Sequence, residues 1–99
     1  MTTFSSTVTF PLTDPARLIR RLCKHWAHKL TTKYDEQTGF VDFGDEKIAH
    51  LYANGDTITI KIKTPTESEL ETIQSVMERH VIRMIPEDEI TEFQWASSK

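Results

Sequence analysis

The chain has 99 residues, of which 37% are hydrophobic and 27% charged, and its formal net charge is −3. This length and balance are typical of one folded domain with its own hydrophobic core, rather than of a disordered chain. No apolar run approaches the roughly 20 residues of a membrane helix, and the polar start does not resemble a secretion signal. The negative net charge gives no general attraction to nucleic acid. We therefore expect a single cytoplasmic domain over residues 1–99, with neither a membrane nor a nucleic-acid partner.

The first predicted elements are a strand and a helix. β-Branched and aromatic residues over Phe4–Phe10 predict the strand. Thr13-Asp14-Pro15 places an N-cap residue directly before a proline, whose missing N–H costs nothing in a first helical turn. Helix one is therefore expected to begin at Pro15 and to end at about Lys29.

Helix one has two contrasting faces. At about 100° per residue, one arc collects the apolar side chains and is expected to face the core. These are Leu18, Ile19, Leu22, Cys23, Trp26 and Leu30. The opposite arc is the basic face of an acidic protein: Arg17, Arg20, Arg21, Lys24 and His28, with His25 and Lys29 near its border. Because Cys23 falls on the apolar side, we expect it to be packed rather than reactive.

Four strands are expected between the two helices. Thr31–Tyr34 and Phe40–Phe43 flank a turn over residues 35–39, and Gly44-Asp45 turns the chain again. The clearest hairpin signal follows, because Asn54-Gly55 readily supplies the positive φ angles of a two-residue type I′ loop.

The hairpin loop predicts a register. The facing pairs would be Ala53 with Asp56, Leu51 with Ile58, and Ala49 with Ile60. Alternation then places these pairs, together with Ile62, on the buried face. The opposite face would carry His50, Tyr52, Thr57, Thr59 and Lys61.

The last elements are a second helix and a strand. Thr66 to Glu69 form a capping box, so helix two is expected from about Glu67 to Ile85, just before Pro86. Its apolar stripe is Leu70, Ile73, Met77, Val81 and Met84, with His80 on the flank. An acidic turn over residues 87–89 would precede a final strand, Ile90–Trp95, with Phe93 and Trp95 on one face.

The predicted order is β-α-β-β-β-β-α-β. Short turns make neighbouring strands antiparallel, and each helix has a single apolar stripe, so both helices can cover one face of the sheet. We therefore predict an α+β two-layer sandwich. Its layout is similar to the TATA-binding-protein-like and helix-grip arrangements.

Several motifs resemble a known bacterial family. They are L-C-K-H-W-A-H-K at Leu22–Lys29, Phe43-Gly44, His80 and Phe93-Gln94-Trp95. Over nearly the whole chain they are similar to domain of unknown function 2218, and K-H-W-x-H-K is the most specific element. The resemblance implies no reaction. It implies an accessory role in iron acquisition with a siderophore-related partner, because the domain is found near or joined to siderophore-interacting flavin reductases.

The motif permits a metal site. His25 and His28 are about one helical turn apart, a separation at which two imidazoles can share an ion. His80 becomes a third ligand if the helices pack side by side, and a zinc site requires three or four protein ligands. The candidate metal set is therefore His25, His28 and His80. In the simpler interpretation, His25 and His28 are surface or boundary residues that hydrogen-bond to strand carbonyls or carboxylates near the helix C-terminus, where their charged form is favoured.

The basic face permits an anion site. Phosphate, carboxylate or catecholate groups would be attracted by its charges, and an aromatic ring at its edge would add a wall. The candidate ligand-binding residues are Arg21, Lys24, His25, Trp26, His28 and Lys29. In the simpler interpretation, the charged members of this set are solvated and balanced by nearby carboxylates.

We predict a small binding or accessory module that takes an anionic ligand or a metal at the first helix; no cofactor is assigned. One alternative is an enzyme that uses His25 or His28 as a general base on an anionic substrate. Another is a structural homodimer formed through the outer sheet face. The sequence leans against catalysis, because Cys23 and His25 point to different sides of a helix and no phosphate loop or nucleophile elbow is present.

Overall fold

Residues 3–90 and 92–98, described by a computed structural model, form a six-stranded antiparallel sheet and two helices that pack against it. The strands are β1 (Phe4–Pro11), β2 (Thr31–Tyr34), β3 (Thr38–Gly44), β4 (Lys47–Asn54), β5 (Thr57–Thr64) and β6 (Ala96–Ser98). The helices are α1 (Pro15–Trp26) and α2 (Glu67–Met84), followed by a 3₁₀ turn at Glu87–Glu89. The sheet order is β2-β3-β4-β5-β1-β6. In this part of the chain, no helix has the length and apolar character needed to cross a membrane.

Both helices lie on the same face of the sheet. α1 packs against β2, β3 and β4, while α2 packs against β5, β1 and β4. The inward side chains of the central strands and the apolar stripes of both helices form one buried cluster. The predicted α+β two-layer sandwich is therefore confirmed.

α1 begins where predicted and ends three residues early. Asp14 Oδ1 accepts the backbone N–H of Arg17 at 3.1 Å, so the N-cap and the following proline define the start. At the other end, the backbone N–H groups of Lys29 and Leu30 both donate to the Trp26 carbonyl, at 3.0 and 2.8 Å. This closes the helix into a turn that leads into β2. The predicted end at Lys29 is therefore wrong.

The β4–β5 hairpin has the predicted faces, except that Asp56 is exposed in the loop, and it has a different register. Leu51 pairs with Ile60 rather than with Ile58, and Asn54 pairs with Thr57. The loop is therefore Gly55-Asp56, with Gly55 at φ 61°. The predicted register is wrong by two residues. The buried face is unchanged, because a two-residue slip keeps every side chain on its own side of the sheet.

The type I′ signature occurs one hairpin earlier than predicted. Asp45 and Glu46 connect β3 to β4, and their φ angles are 53° and 65°. Positive φ at both central positions is the requirement of a type I′ turn. Gly44, at φ 90°, follows a register shift in β3, and its N–H donates to Asp42 Oδ1 at 2.8 Å.

The second helix confirms the capping signal. The Thr66 hydroxyl accepts the Glu69 backbone N–H at 3.1 Å and donates to the Glu69 carboxylate at 2.8 Å. α2 ends at Met84, and Ile85 is already extended before Pro86. This agrees with the restriction that a proline places on the preceding residue.

The final strand is not where the pattern predicts it. Residues 92–95 are not in a strand, and Thr91 lies outside the described residues. The strand is β6, which pairs with β1. Phe93 and Trp95 instead cover the core as side chains. The Phe93 ring lies 4.9 Å from that of Phe10, and Trp95 Nε1 donates to Glu78.

Candidate functional site

The basic residues of the first helix are all exposed, but they fall into two groups. Arg17, Arg20, Arg21, Lys24 and His25 project from α1 itself. His28 and Lys29 lie in the turn after it. A single helical face therefore does not carry the whole predicted set.

A cavity of about 520 Å³ opens where the first turns of α1 meet the end of α2. It is lined by Leu12, Thr13, Asp14, Arg17, Leu18, Arg21, Arg83, Met84, Ile85, Pro86 and Glu89. The Arg21 guanidinium donates from Nη1 to the Met84 carbonyl at 2.8 Å, which ties the two helices together at this point. The last carbonyls of a helix have no intrahelical partner, so Arg21 satisfies one of them.

Three guanidinium groups and two carboxylates define the charge of the cavity. Asp14 caps α1 through the Arg17 backbone N–H, and Glu89 accepts the backbone N–H of Thr13. Both carboxylates therefore have structural roles. Neither Arg17 nor Arg83 takes part in an ion pair with any residue that the structure describes. Their charges remain available to an anionic ligand.

Sequence reasoning found part of this arrangement. Arg17 and Arg21 are four positions apart on the predicted basic face, and the structure places both at the cavity. Both belong to the basic face for which an anion site is predicted, and Arg21 is also in the narrower set of candidate ligand residues. Arg83 was missed, because its position depends on how α2 crosses α1. Lys24, His25, Trp26, His28 and Lys29 do not line this cavity.

The three candidate metal ligands form a second cluster. The His25 and His80 rings have centroids 5.0 Å apart, and the His25 and His28 rings 6.4 Å apart. His80 Nδ1 lies 2.7 Å from the Val76 carbonyl, which can only accept, so Nδ1 carries the hydrogen. Among residues 3–90 and 92–98, no group of three or more His, Cys, Asp or Glu side chains is arranged to hold a metal. Metal binding at this cluster stays a prediction.

Trp26 and Cys23 face the core, as predicted. Trp26 is 6% exposed and packs against Phe43 and His80, at centroid distances of 5.2 and 4.9 Å. It therefore offers little surface to a ligand. Cys23 is fully buried, and its Sγ lies 3.8 Å from the Lys33 carbonyl. Burial raises the pKa of the Cys23 thiol, because the thiolate would lose its hydration.

The environment of His25 predicts a pH dependence. Desolvation lowers the pKa of this imidazole below its ordinary value of 6.5, and the positive charges of His80, His28 and Lys29 act in the same direction. The folded state thus favours neutral His25. Its contribution to stability is complete above 6.5 and is lost as the pH falls through the lowered folded value.

We expect an NMR titration of His25 in the folded protein to give a pKa below 6.5, and His80→Gln to raise it. The matched control is His50→Gln, which removes an imidazole from the opposite face of the sheet and should leave the His25 titration unchanged. An unshifted His25 pKa in His80→Gln would contradict the close approach of the two rings.

The outer face of the sheet holds the polar set that alternation predicted. His50 pairs with Lys61, and Tyr52 pairs with Thr59. Phe40 joins them from β3, with its ring 5.2 Å from that of His50. Sequence reasoning had not assigned Phe40 to this face. The signal that could have done so is alternation along β3, because Phe40 stands between Gly39 and Val41, which are both buried, and successive residues of a strand face opposite sides.

Fold and site together define a small open-faced α+β sandwich with a basic first helix and an arginine-lined cavity. The chain belongs to the bacterial family domain of unknown function 2218, described as an uncharacterised protein conserved in bacteria, whose model matches residues 7–96. Among solved structures it is similar to the NMR structure of PA4090 from Pseudomonas aeruginosa. The identity is 33%, the TM-score is 0.76, and the match covers 96% of this chain and 95% of that one. A search of the curated proteins finds no match.

Proposed function

We propose that this protein is a small binding module that holds an anionic small molecule in the cavity between α1 and the end of α2. The observation that carries this proposal is the convergence of Arg17, Arg21 and Arg83 on one cavity, with none of the three in an ion pair with another described residue. The ligand class is a carboxylate or phosphate bearing a small apolar part.

Arginine suits this role for geometric reasons. A guanidinium presents its N–H groups in a rigid planar fork that matches both carboxylate and phosphate oxygens. Arg21 is already held in place by the Met84 carbonyl, so part of the site is ordered before a ligand arrives. Leu12, Leu18 and Ile85 supply apolar wall, and about 520 Å³ falls within the range of small-molecule sites.

Binding is favoured over catalysis at this position. Neither His25 nor His28 lines the cavity, so an anion held there would not meet a general base from either. The proposed site keeps Arg21 from the predicted ligand set and moves the site toward the start of α1. The carboxylate or catecholate groups of a siderophore-related partner, which the family resemblance implies, would match the same guanidinium chemistry.

The test is isothermal titration calorimetry with three probes: inorganic phosphate, citrate and 2,3-dihydroxybenzoate. At least one probe should bind saturably, and Arg17→Gln and Arg83→Gln should each weaken it about tenfold, in line with the loss of a charge-assisted hydrogen bond. The matched control is Arg20→Gln, since this exposed residue of α1 does not line the cavity. Its Kd should stay within about twofold of the parent.

Two outcomes would contradict the proposal. If none of the three probes binds saturably, the proposed anion site is contradicted. Equal weakening by Arg20→Gln and Arg83→Gln would show attraction to overall charge rather than to this cavity. Thermal melting of each variant separates a binding defect from a folding defect.

A further inference from the structure

The outer face of the sheet is open, because both helices pack on the inner face. Its register brings four residues into one row across β2, β3, β4 and β5. Lys33 pairs with Phe40, Phe40 with His50, and His50 with Lys61. At about 4.8 Å between strands, the row is roughly 14 Å long, which is more than one nucleobase occupies.

Three aromatic rings stand on this face, and His50 is in contact with both of the others. The Phe40 and His50 centroids are 5.2 Å apart, and the His50 and Tyr52 rings lie 6.2 Å apart at an interplanar angle of 15°. Tyr52 is 42% exposed in β4, so its ring is accessible from solvent. A shallow depression of about 340 Å³ runs along these rings and reaches Lys33.

The charges around the rings favour an anionic partner. None of the lysines at positions 33, 61 and 63 forms an ion pair with a residue in the described ranges, 3–90 and 92–98. Two carboxylates share this surface, since Asp35 lines the depression and Asp42 lies two residues after Phe40 in β3. Both have local roles. Asp35 Oδ1 accepts the backbone N–H groups of Gln37 and Thr38, and Asp42 Oδ1 accepts that of Gly44.

His50 is adapted to stacking rather than to charge pairing. Partial burial, followed by the charges of Lys63 and Lys61, lowers the pKa of its imidazole. The folded state therefore favours the neutral ring, which adds a flat surface beside Phe40 and Tyr52. The two lysines beside it remain as the cationic groups.

We propose that this face binds single-stranded nucleic acid, with bases stacked on Phe40, His50 and Tyr52 and phosphates paired with Lys33, Lys61 and Lys63. Stacking on exposed rings beside cationic side chains is the general mode of sequence-tolerant single-strand recognition. A second copy of this chain is a poorer occupant, because a twofold contact would set these lysines against each other. The expectation of no nucleic-acid partner was based on the negative net charge of the whole chain, whereas this face presents Lys33, Lys61 and Lys63.

The test is fluorescence anisotropy with labelled 12-nucleotide oligothymidine and oligouridine at 50 mM salt. Binding should be saturable. Three phosphate contacts predict a roughly 20-fold weakening between 50 and 200 mM salt. Tyr52→Ala should weaken binding about fivefold or more, while Tyr52→Phe keeps the ring and should leave it within about twofold. Lys61→Gln with Lys63→Gln should flatten the salt dependence.

A matched control comes from the other layer of the protein. Arg20→Gln removes one positive charge, as Lys61→Gln does, but Arg20 lies exposed on α1, so this variant should leave the anisotropy titration unchanged. Equal weakening by Arg20→Gln and Lys61→Gln would overturn the proposal, as would equal affinity for duplex of the same length. If a free mononucleotide competes as strongly as the oligomer, the surface is a site for single nucleotides, and the proposal of single-strand binding is overturned. Sedimentation that shows a dimer disrupted by Tyr52→Ala would assign the face to a second copy.

Discussion

Replacing Ile60 by alanine is expected to lower the free energy of unfolding by about 2–5 kcal/mol. Ile60 is 1% exposed in β5, where it pairs with Val8 on one side and Leu51 on the other. Removal of its side chain leaves a cavity at the centre of the sheet, in the strand that α2 covers. Since domains of this size have a total stability of about 5–15 kcal/mol, urea denaturation should show a large shift in midpoint.

The control for Ile60 is its neighbour in the chain. Lys61 points to the outer face, so Lys61→Ala should change the free energy of unfolding by about 0.5 kcal/mol or less. A loss from Lys61→Ala as large as that from Ile60→Ala would contradict the assignment of the two faces.

Ile60→Ala, combined with changes at Leu51 and Ile58, also distinguishes the two registers of the β4–β5 hairpin. The structure pairs Leu51 with Ile60, whereas the Asn-Gly signal pairs Leu51 with Ile58. A double-mutant cycle on Leu51→Ala and Ile60→Ala should give a coupling energy of about 0.5–3 kcal/mol. The cycle on Leu51→Ala and Ile58→Ala should give less. The reverse order would support the register predicted from the loop residues.

The faces of the strands could be predicted because they depend only on alternation. Leu51, Ile58 and Ile60 are inward in either register. The register itself depends on which two residues form the loop. Asn54-Gly55 satisfies a type I′ loop by composition, yet the chain places its loop at Gly55-Asp56. Both solutions bury the same side chains, so the hydrophobic pattern could not choose between them.

The starts of the helices could be predicted from the sequence, whereas the end of α1 could not. Local signals identified the start of α1 at Pro15 and the start of α2 at Glu67, because capping is decided by neighbouring residues. The end of α1 was missed, because the turn after Trp26 is set by where β2 must enter the sheet. Phe93 and Trp95 were correctly placed together on one side. They reach the core without forming a strand, which alternation alone cannot reveal.

The candidate sites show why tertiary packing limits sequence reasoning. Arg17 and Arg21 share one helix, so their common side followed from helical spacing. Arg83 joins them only because the end of α2 meets the start of α1. The outer face is a similar case, since Lys33, Phe40 and Lys61 come from three strands. No short window of sequence contains the stripe that they form together.

The packing of α1 on the sheet depends on Gly39 in β3. A Cβ at this position would lie 2.6 Å from Ile19 Cγ2 and 3.3 Å from Cys23 Sγ. Both neighbours are fully buried, and the β-branched Ile19 is stiff about χ1. We therefore expect Gly39→Ala to lower the free energy of unfolding by about 1–3 kcal/mol, measured by urea denaturation.

A double-mutant cycle tests whether that loss comes from the contact with Ile19. Ile19→Ala alone should cost about 2–5 kcal/mol, because it leaves a cavity under α1. In the double variant the methyl group added by Gly39→Ala enters that space, so the combined loss should be smaller than the sum by about 0.5–3 kcal/mol. Gly55→Ala is the control: Gly55 has φ 61° and open space around its Cβ position, so its strain is conformational. Its effect should add to that of Ile19→Ala, whereas additivity at Gly39 would mean that α1 lies farther from β3 than the structure places it.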